Sequence, residues 1–383
     1  MREINNRNFT EIFAFEPQYL LFSRIMKQKI LIIALLFFSM VVAQDQEQSR
    51  RRSREDRVRF GGKANVGIDF RAIGGLGDRE INDSRLNRIA TVETELVVFP
   101  ADNVRLEFDL EYDWRFTDVN LQKLFIRYDF DNSNARLGFM KKMFSWEEIK
   151  SGTDRLFIKK SMLNNILSDF FLLDRDFTIQ YRYNFPSYTL IGGFSGDGSN
   201  RIFGNLTLLT RQLERKRFMV AAMYNNYEDK DGSHNRQSAF YGNVGMEFSG
   251  DVNNFEVEAI WGRNPERYGY LVHSLTPDAF LEFNENENIG FWGLRFQQSF
   301  PISIDRNHLR KITPVYEFAF FNDEFAVKNA YWQARQGVNL SFDRRDRVQW
   351  RTNLDLIMTA NNQESSRPQI IRQRVISEIF VHW

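Results

Sequence analysis

Polar and apolar residues alternate with a period of two along most of the chain from Arg57 onward. In Val104 to Arg115 the even positions are Val104, Leu106, Phe108, Leu110, Tyr112 and Trp114, and every odd position is charged. Successive side chains of a strand point to opposite faces, so this segment has one apolar and one charged face. The same split separates Phe177, Ile179, Tyr181, Tyr183 and Phe185 from Asp176, Thr178, Gln180, Arg182 and Asn184. It recurs where Phe255, Val257, Ala259 and Trp261 oppose Glu256 and Glu258. The pattern predicts sixteen strands, at 57–71, 85–99, 103–115, 119–130, 134–145, 175–185, 187–196, 201–212, 216–227, 236–249, 252–264, 288–299, 311–322, 331–343, 346–359 and 370–383. Most are longer than the ~5–6 residues of a soluble strand and suit a tilted membrane strand of ~9–11 residues with its rims.

The connections mostly alternate in length, with short exceptions on the long-loop side at 116–118 and 197–200. Short ones include Pro100-Ala101-Asp102, Asp131-Asn132-Ser133, Pro186, Gly250-Asp251 and Arg344-Arg345, whereas 146–174 and 265–287 are long. A longer turn is expected at 301–310. Short turns on one rim and long loops on the other are the build of a bacterial outer-membrane barrel, and an even strand number leaves both chain ends on the short-turn rim. Lipid cannot satisfy an open strand edge, so the sheet must close. Val375, Ser377, Ile379, Val381 and Trp383 share one face of the last segment, and the chain ends on its aromatic, like the terminal strand of outer-membrane proteins. The expected class is therefore all-β, a transmembrane antiparallel β-barrel of about sixteen strands in the outer membrane of a Gram-negative-type bacterium.

The continuous apolar run Ile30 to Val42 follows Met26-Lys27-Gln28-Lys29 and ends at Ala43-Gln44. This is the basic, apolar, small-residue order of a secretory signal peptide, assigned to 26–43. Residues 1–25 are read as an upstream extension from a wrong start, and 44–56 as a flexible periplasmic arm. Residues 57–383 form the barrel.

Composition narrows the chemistry. There is no cysteine, which excludes disulfides and thiolate sites. Fifty-one Lys and Arg against fifty Asp and Glu argue against a nucleic-acid binder. The four histidines, His234, His273, His308 and His382, fall in loops, a turn and the chain end, which leaves no Ser/His pair on neighbouring strands. The acidic run Glu107, Asp109, Glu111, Asp113 reads as the wetted face of a pore wall rather than acid–base machinery. Gly192-Gly193-Phe194-Ser195-Gly196 lacks the following helix of a phosphate cradle. No enzyme, cofactor or metal is expected.

Residues 120–161 resemble the phosphate-selective porin O and P family. The likeness is carried by Leu121-Gln122-Lys123-Leu124-Phe125-Ile126-Arg127-Tyr128, by Arg136-Leu137-Gly138-Phe139-Met140-Lys141-Lys142, by Phe144-Ser145-Trp146-Glu147-Glu148, and by Ser151 through Ser161. The chain has Met143-Phe144 where that family has Pro-Phe. The resemblance implies a homotrimeric porin in outer-membrane lipid, passing small hydrophilic or anionic solutes, phosphate among them. It also implies that the loop after the fifth strand, 146–174, folds into the channel and narrows it. Met162, Leu163, Ile166, Leu167, Phe170 and Phe171 would pack that loop against the wall. Arg127, Lys142, Glu147, Glu148, Arg155, Lys159, Lys160 and Arg182 are the candidate constriction and solute-contacting residues. The expected function is passive diffusion of ions and small hydrophilic solutes. An adhesin or receptor barrel with a plugged lumen is the rival reading, which conductance would discriminate.

Overall fold

In the computed structural model the described residues are 57–383 apart from 74–82, 115–117, 151–154, 170–171, 174, 197–201, 212–214, 229–235, 264–289, 307, 324–329, 344 and 361–368. The predicted extension, signal peptide and arm at 1–56 lie outside them, as do His234, His273, Phe170 and Phe171.

The strands run in chain order as β1 (Val58–Ile73), β2 (Asp83–Ala101), β3 (Val104–Asp113), β4 (Asp118–Asp129) and β5 (Ser133–Lys141). Two short helices follow, α1 (Trp146–Ile149) and α2 (Met162–Asp169). Then come β6 (Arg175–Asn184), β7 (Tyr188–Gly196), β8 (Ile202–Thr210), β9 (Lys216–Glu228), β10 (Arg236–Ser249) and β11 (Asn254–Arg263). The chain finishes with β12 (Gly290–Ser299), β13 (Ile302–Arg306), β14 (Leu309–Asp323), β15 (Ala330–Ser341), β16 (Val348–Ala360) and β17 (Gln369–His382).

Each wall strand pairs antiparallel with its sequence neighbour, and β17 returns to β1, so the sheet closes. Closure leaves no backbone edge facing lipid. At the seam Trp383 N donates to Gly62 O (3.0 Å) and Gly62 N donates to Trp383 O (3.3 Å), which brings both ends of the barrel to the short-turn rim. Inside the seam Asp69, fully buried, accepts from Arg374 Nε (2.6 Å) and Nη2 (2.5 Å).

The wall has sixteen strands. Segment β13 prolongs β12 after Phe300-Pro301, pairing Ile302 with Ile312 and Arg306 with Leu309. What the sequence predicts as a long turn at 301–310 is a hairpin tip, because a proline lacks the N–H a continuous ladder needs and breaks the strand without ending it. Strand β5 also stops at Lys141, four residues before its predicted end, and 142–145 turn into the lumen.

The apolar faces point outward, as a lipid-embedded wall requires. Phe177, Ile179 and Tyr181 on β6, and Val66 and Ile68 on β1, are exposed there. Aromatic rings gather at both rims. Tyr128–Phe130, Phe185–Tyr188 and Phe248–Phe255 pack on the short-turn rim, and Tyr112–Trp114, Tyr224–Phe240 and Trp292–Phe320 on the long-loop rim. Amphipathic rings favour the headgroup level on either side of the bilayer. A bulge places two β4 residues opposite one β3 step between Asp109 and Leu110. Val119 and Ile126 therefore both face outward despite their odd spacing, while Lys123 and Arg127 face inward.

Candidate functional site

The segment between β5 and β6 folds back into the barrel and is held by the inner wall. Asn243 Nδ2 donates to Phe144 O (2.6 Å), and Trp146 N donates to Glu258 Oε1 (2.9 Å). Lower down, Asn339 Nδ2 donates to Leu156 O (2.8 Å), Ile158 N to Asn353 Oδ1 (2.9 Å), and Arg335 Nη1 to Lys159 O (2.6 Å). Met162 N donates to Gln333 Oε1 (2.6 Å). Backbone groups left without a regular ladder find side-chain partners on the wall, as buried polar groups must.

Local capping shapes both helices. Ser145 Oγ accepts from Glu147 N (3.3 Å) at the start of α1, and Ser161 Oγ accepts from Asn164 N (3.1 Å) at the start of α2. Glu147 ties the two helices together by accepting from Ser161 N (3.0 Å) and Ser161 Oγ (2.7 Å). Glu148 is clasped between Lys141 of β5 (2.7 Å) and Lys160. Burial alone would raise the Glu148 carboxyl, but the two ammonium groups outweigh it and hold it at about 2. Lys150, bridging Glu256 and Glu247, is raised for the mirror reason, the carboxylates outweighing its burial.

Helix α2 supplies the apolar contact. Met162, Leu163, Ile166 and Leu167 are buried against Phe203, Met223, Tyr241, Phe291, Phe321 and Tyr331, which all project from the wall into the barrel. These inward rings depart from the wholly polar lumen that strict alternation predicts. Their signal in the sequence is a set of aromatic doublets, Phe240-Tyr241, Phe291-Trp292, Phe320-Phe321 and Tyr331-Trp332. In an extended strand a doublet necessarily sends one ring to lipid and the other inside. Gly293 gives Leu163 its seat, since a Cβ there would stand 2.4 Å from Leu163 Cδ1.

Beneath the loop lies a buried ion network. Arg295 Nη1 donates to Glu258 (2.9 Å) and its Nε to Glu317 (3.1 Å), while Arg335 Nε donates to the other oxygen of Glu317 (2.8 Å). Glu256 and Glu258, on the polar face of their strand, together with Arg295 and Arg335 belong to the inner face of the wall. The loop covers them, and they hold it rather than meet the solvent.

The loop lies on one side, and open space remains along β16, β17 and β1 to β3. A cavity of ≈ 430 Å³ there is lined by Lys63, Arg71, Arg155, Lys159, Lys160, Arg351 and Arg374, against Glu111, Asp113 and Glu378. A second, of ≈ 330 Å³, opens toward the short-turn rim between Lys311, Asn339, Gln349 and His382, and Arg155 borders both.

The eight candidate residues thus separate into four groups. Arg155, Lys159 and Lys160 line the open space. Glu147 and Glu148 are buried in the loop's own fastenings. Lys142 is fully buried, ion-paired to Asp176 with its Nζ 3.8 Å from the Phe203 ring centre, and is out of reach of a solute. Arg127 and Arg182 stand on the wall near the short-turn rim, away from the loop. Among the described residues no group of three or more His, Asp or Glu is arranged to hold a metal.

No protein-family model and no curated protein matches the chain in sequence. Solved structures do match its fold. The anion-selective porin of Comamonas acidovorans superposes with a TM-score of 0.59 at 10% identity, covering 85% of this chain and 99% of that one. The outer-membrane channel DcaP of Acinetobacter baumannii gives 0.58 at 14% identity, covering 85% and 97%. The in-vitro folded outer-membrane protein OmpT of Vibrio cholerae, solved in a trimer form, gives 0.55 at 12% identity, covering 85% and 99%. The chain has the fold of an outer-membrane barrel of the porin type.

Proposed function

We propose that the protein is a passive diffusion channel for ions and small hydrophilic solutes with a mild preference for anions. The observation that carries this reading is the one-sided seat of the loop. Glu147, Glu148 and Lys150 of the loop are consumed in buried contacts, while Arg155, Lys159 and Lys160, the last also clasping Glu148, border the open space. The described lining holds seven cationic side chains and three carboxylates. At physiological salt the screening length is ~8 Å, so charges at the narrowest point dominate over those farther along the wall. The resemblance of residues 120–161 to the phosphate-selective porin O and P family supports phosphate among the anions, and a homotrimer. Purified protein in a planar bilayer should give discrete current steps and an anion-directed reversal potential in a salt gradient. A barrel that is folded but silent would favour the receptor reading.

A further inference from the structure

A row of like charges crosses the inner wall near the short-turn rim. Arg105, Arg127 and Arg136 are direct register partners on β3, β4 and β5. Arg182 on β6 stands one step along, opposite Asn134. Directly opposed residues lie ~4.5–5.5 Å apart, where like charges repel and destabilise the sheet. Arg127 and Arg182 both act on Arg136 as like charges, while Glu107 and Asp129 act on it as opposite charges. A barrel assembled by stability alone would not concentrate guanidiniums in this way.

The row repeats one device. Arg127 Nε donates to Asp129 Oδ1 (2.6 Å), Arg136 Nε to Asn134 Oδ1 (3.1 Å), and Arg182 Nε to Asn184 Oδ1 (3.3 Å). In each case the partner is two residues away, on the same face, and closer to the short turn. Thr189 Oγ1 also donates to Asn184 Oδ1 (3.0 Å), which fixes that amide in turn. The partner is a carboxylate for Arg127 alone, and Arg105 has Glu107 at 3.5 Å. Among the described residues neither Arg136 nor Arg182 makes a direct ion pair with a carboxylate, although Glu107 and Asp129 act on Arg136 from farther away. Four guanidiniums therefore face two carboxylates, and the excess rests on the two arginines tied by asparagine.

We infer that Asn134 and Asn184 are positioning residues that hold Arg136 and Arg182 without a direct ion pair and facing the short-turn mouth of the lumen, where the pair gathers and orients small oxyanions. An Asn oxygen fixes Nε as an Asp oxygen would, yet cancels no charge. With Nε engaged, the planar fork keeps its Nη donors for a bidentate oxyanion. The second discriminating point of the channel then lies on the wall, at the opposite end of the barrel from the rim where the loop enters. The inference rests on the channel reading given above.

The test compares wild type, Asn134→Asp/Asn184→Asp and Asn134→Leu/Asn184→Leu in planar bilayers, with folding verified by circular dichroism. The Asp pair copies the contact that Asp129 already makes. In a KCl gradient it should lower the anion-to-cation permeability ratio by about twofold for each added charge, the effect of a unit charge a few ångströms from a screened aqueous path. The Leu pair keeps the net charge and releases the guanidiniums. It should remain on the anion side and lose wild-type discrimination between sulfate and chloride. Should the double Asp variant misassemble, Asn184→Asp alone carries the same expectation at half the shift. A conducting Asp variant with the wild-type reversal potential overturns the inference, and so does a Leu variant with undiminished sulfate discrimination. A silent wild-type barrel instead refutes the channel reading, and the inference with it.

Discussion

At the residue scale, the same charge has different consequences according to what covers it. Arg155, Lys159 and Lys160 border water, so replacing all three with Gln should move the reversal potential toward cations in a bilayer measurement. The same exchange at Lys142 removes the partner of a buried Asp176, and should appear as lost barrel stability rather than altered selectivity. Glu148 gives a pH dependence of known sign. Its ionised form is the one Lys141 and Lys160 hold, so the clasp is complete above the carboxyl's ordinary value of 4.5 and fades as pH falls toward about 2. Single-channel records should become noisier or more conductive only in that acid window. Glu148→Gln should show at pH 7 what wild type shows near pH 2; a variant quiet at both would remove the clasp from the account. Strand alternation assigned Arg155, Lys159, Lys160, Glu147 and Glu148 to one loop, yet nothing in their spacing said which would turn inward to a lysine and which toward water.

At the element scale, the loop is held by two mechanisms of different strength. Wall-to-backbone hydrogen bonds set its path, and the apolar side of α2 fastens it. Leu163 is buried in full, and Leu163→Ala should cost about 2–5 kcal/mol of docking and repacking. Gly293→Val attacks the same contact from the wall side, because its Cβ has no room beside Leu163. Both should raise open-channel noise while leaving the barrel assembled. Removing much of 150–170 should raise conductance outright, since no wall strand is cut; a folded deletion with unchanged current would place the loop outside the conducting path. The apolar run of α2 was legible from Met162, Leu163, Ile166 and Leu167. Its receptor was present in the aromatic doublets, but a period-two reading scores those as strand-end noise. The arginine row was half legible. Arg127 and Arg182 stand out by inward parity, whereas their alignment with Arg105 and Arg136 depends on the register between strands.

At the scale of the whole molecule, the closed wall, the outward apolar faces and the aromatic rims describe a body suited to a bilayer. The mature chain is expected to begin near Gln44 and to fractionate with outer membranes. N-terminal sequencing of the purified protein tests this, and a mature chain retaining residues 1–43 would refute the processing. The buried pairing of Asp69 with Arg374 spans the β1–β17 seam, where the first and last strands close the sheet.

The sequence by itself determined the class of structure. Period-two alternation, alternating connection lengths and a terminal aromatic strand are local properties, and lipid allows only a closed sheet to satisfy them. It also determined which residues face inward wherever a strand runs without a bulge, because the side-chain period is two. Tertiary structure decided which inward residues meet water. That depends on where the loop between β5 and β6 comes to rest, and its rest position is fixed by rings and carboxylates from strands more than a hundred residues away, such as Glu258 beneath Trp146. It likewise decided that four arginines stand side by side, because neighbours across a sheet are set by register and not by distance along the chain.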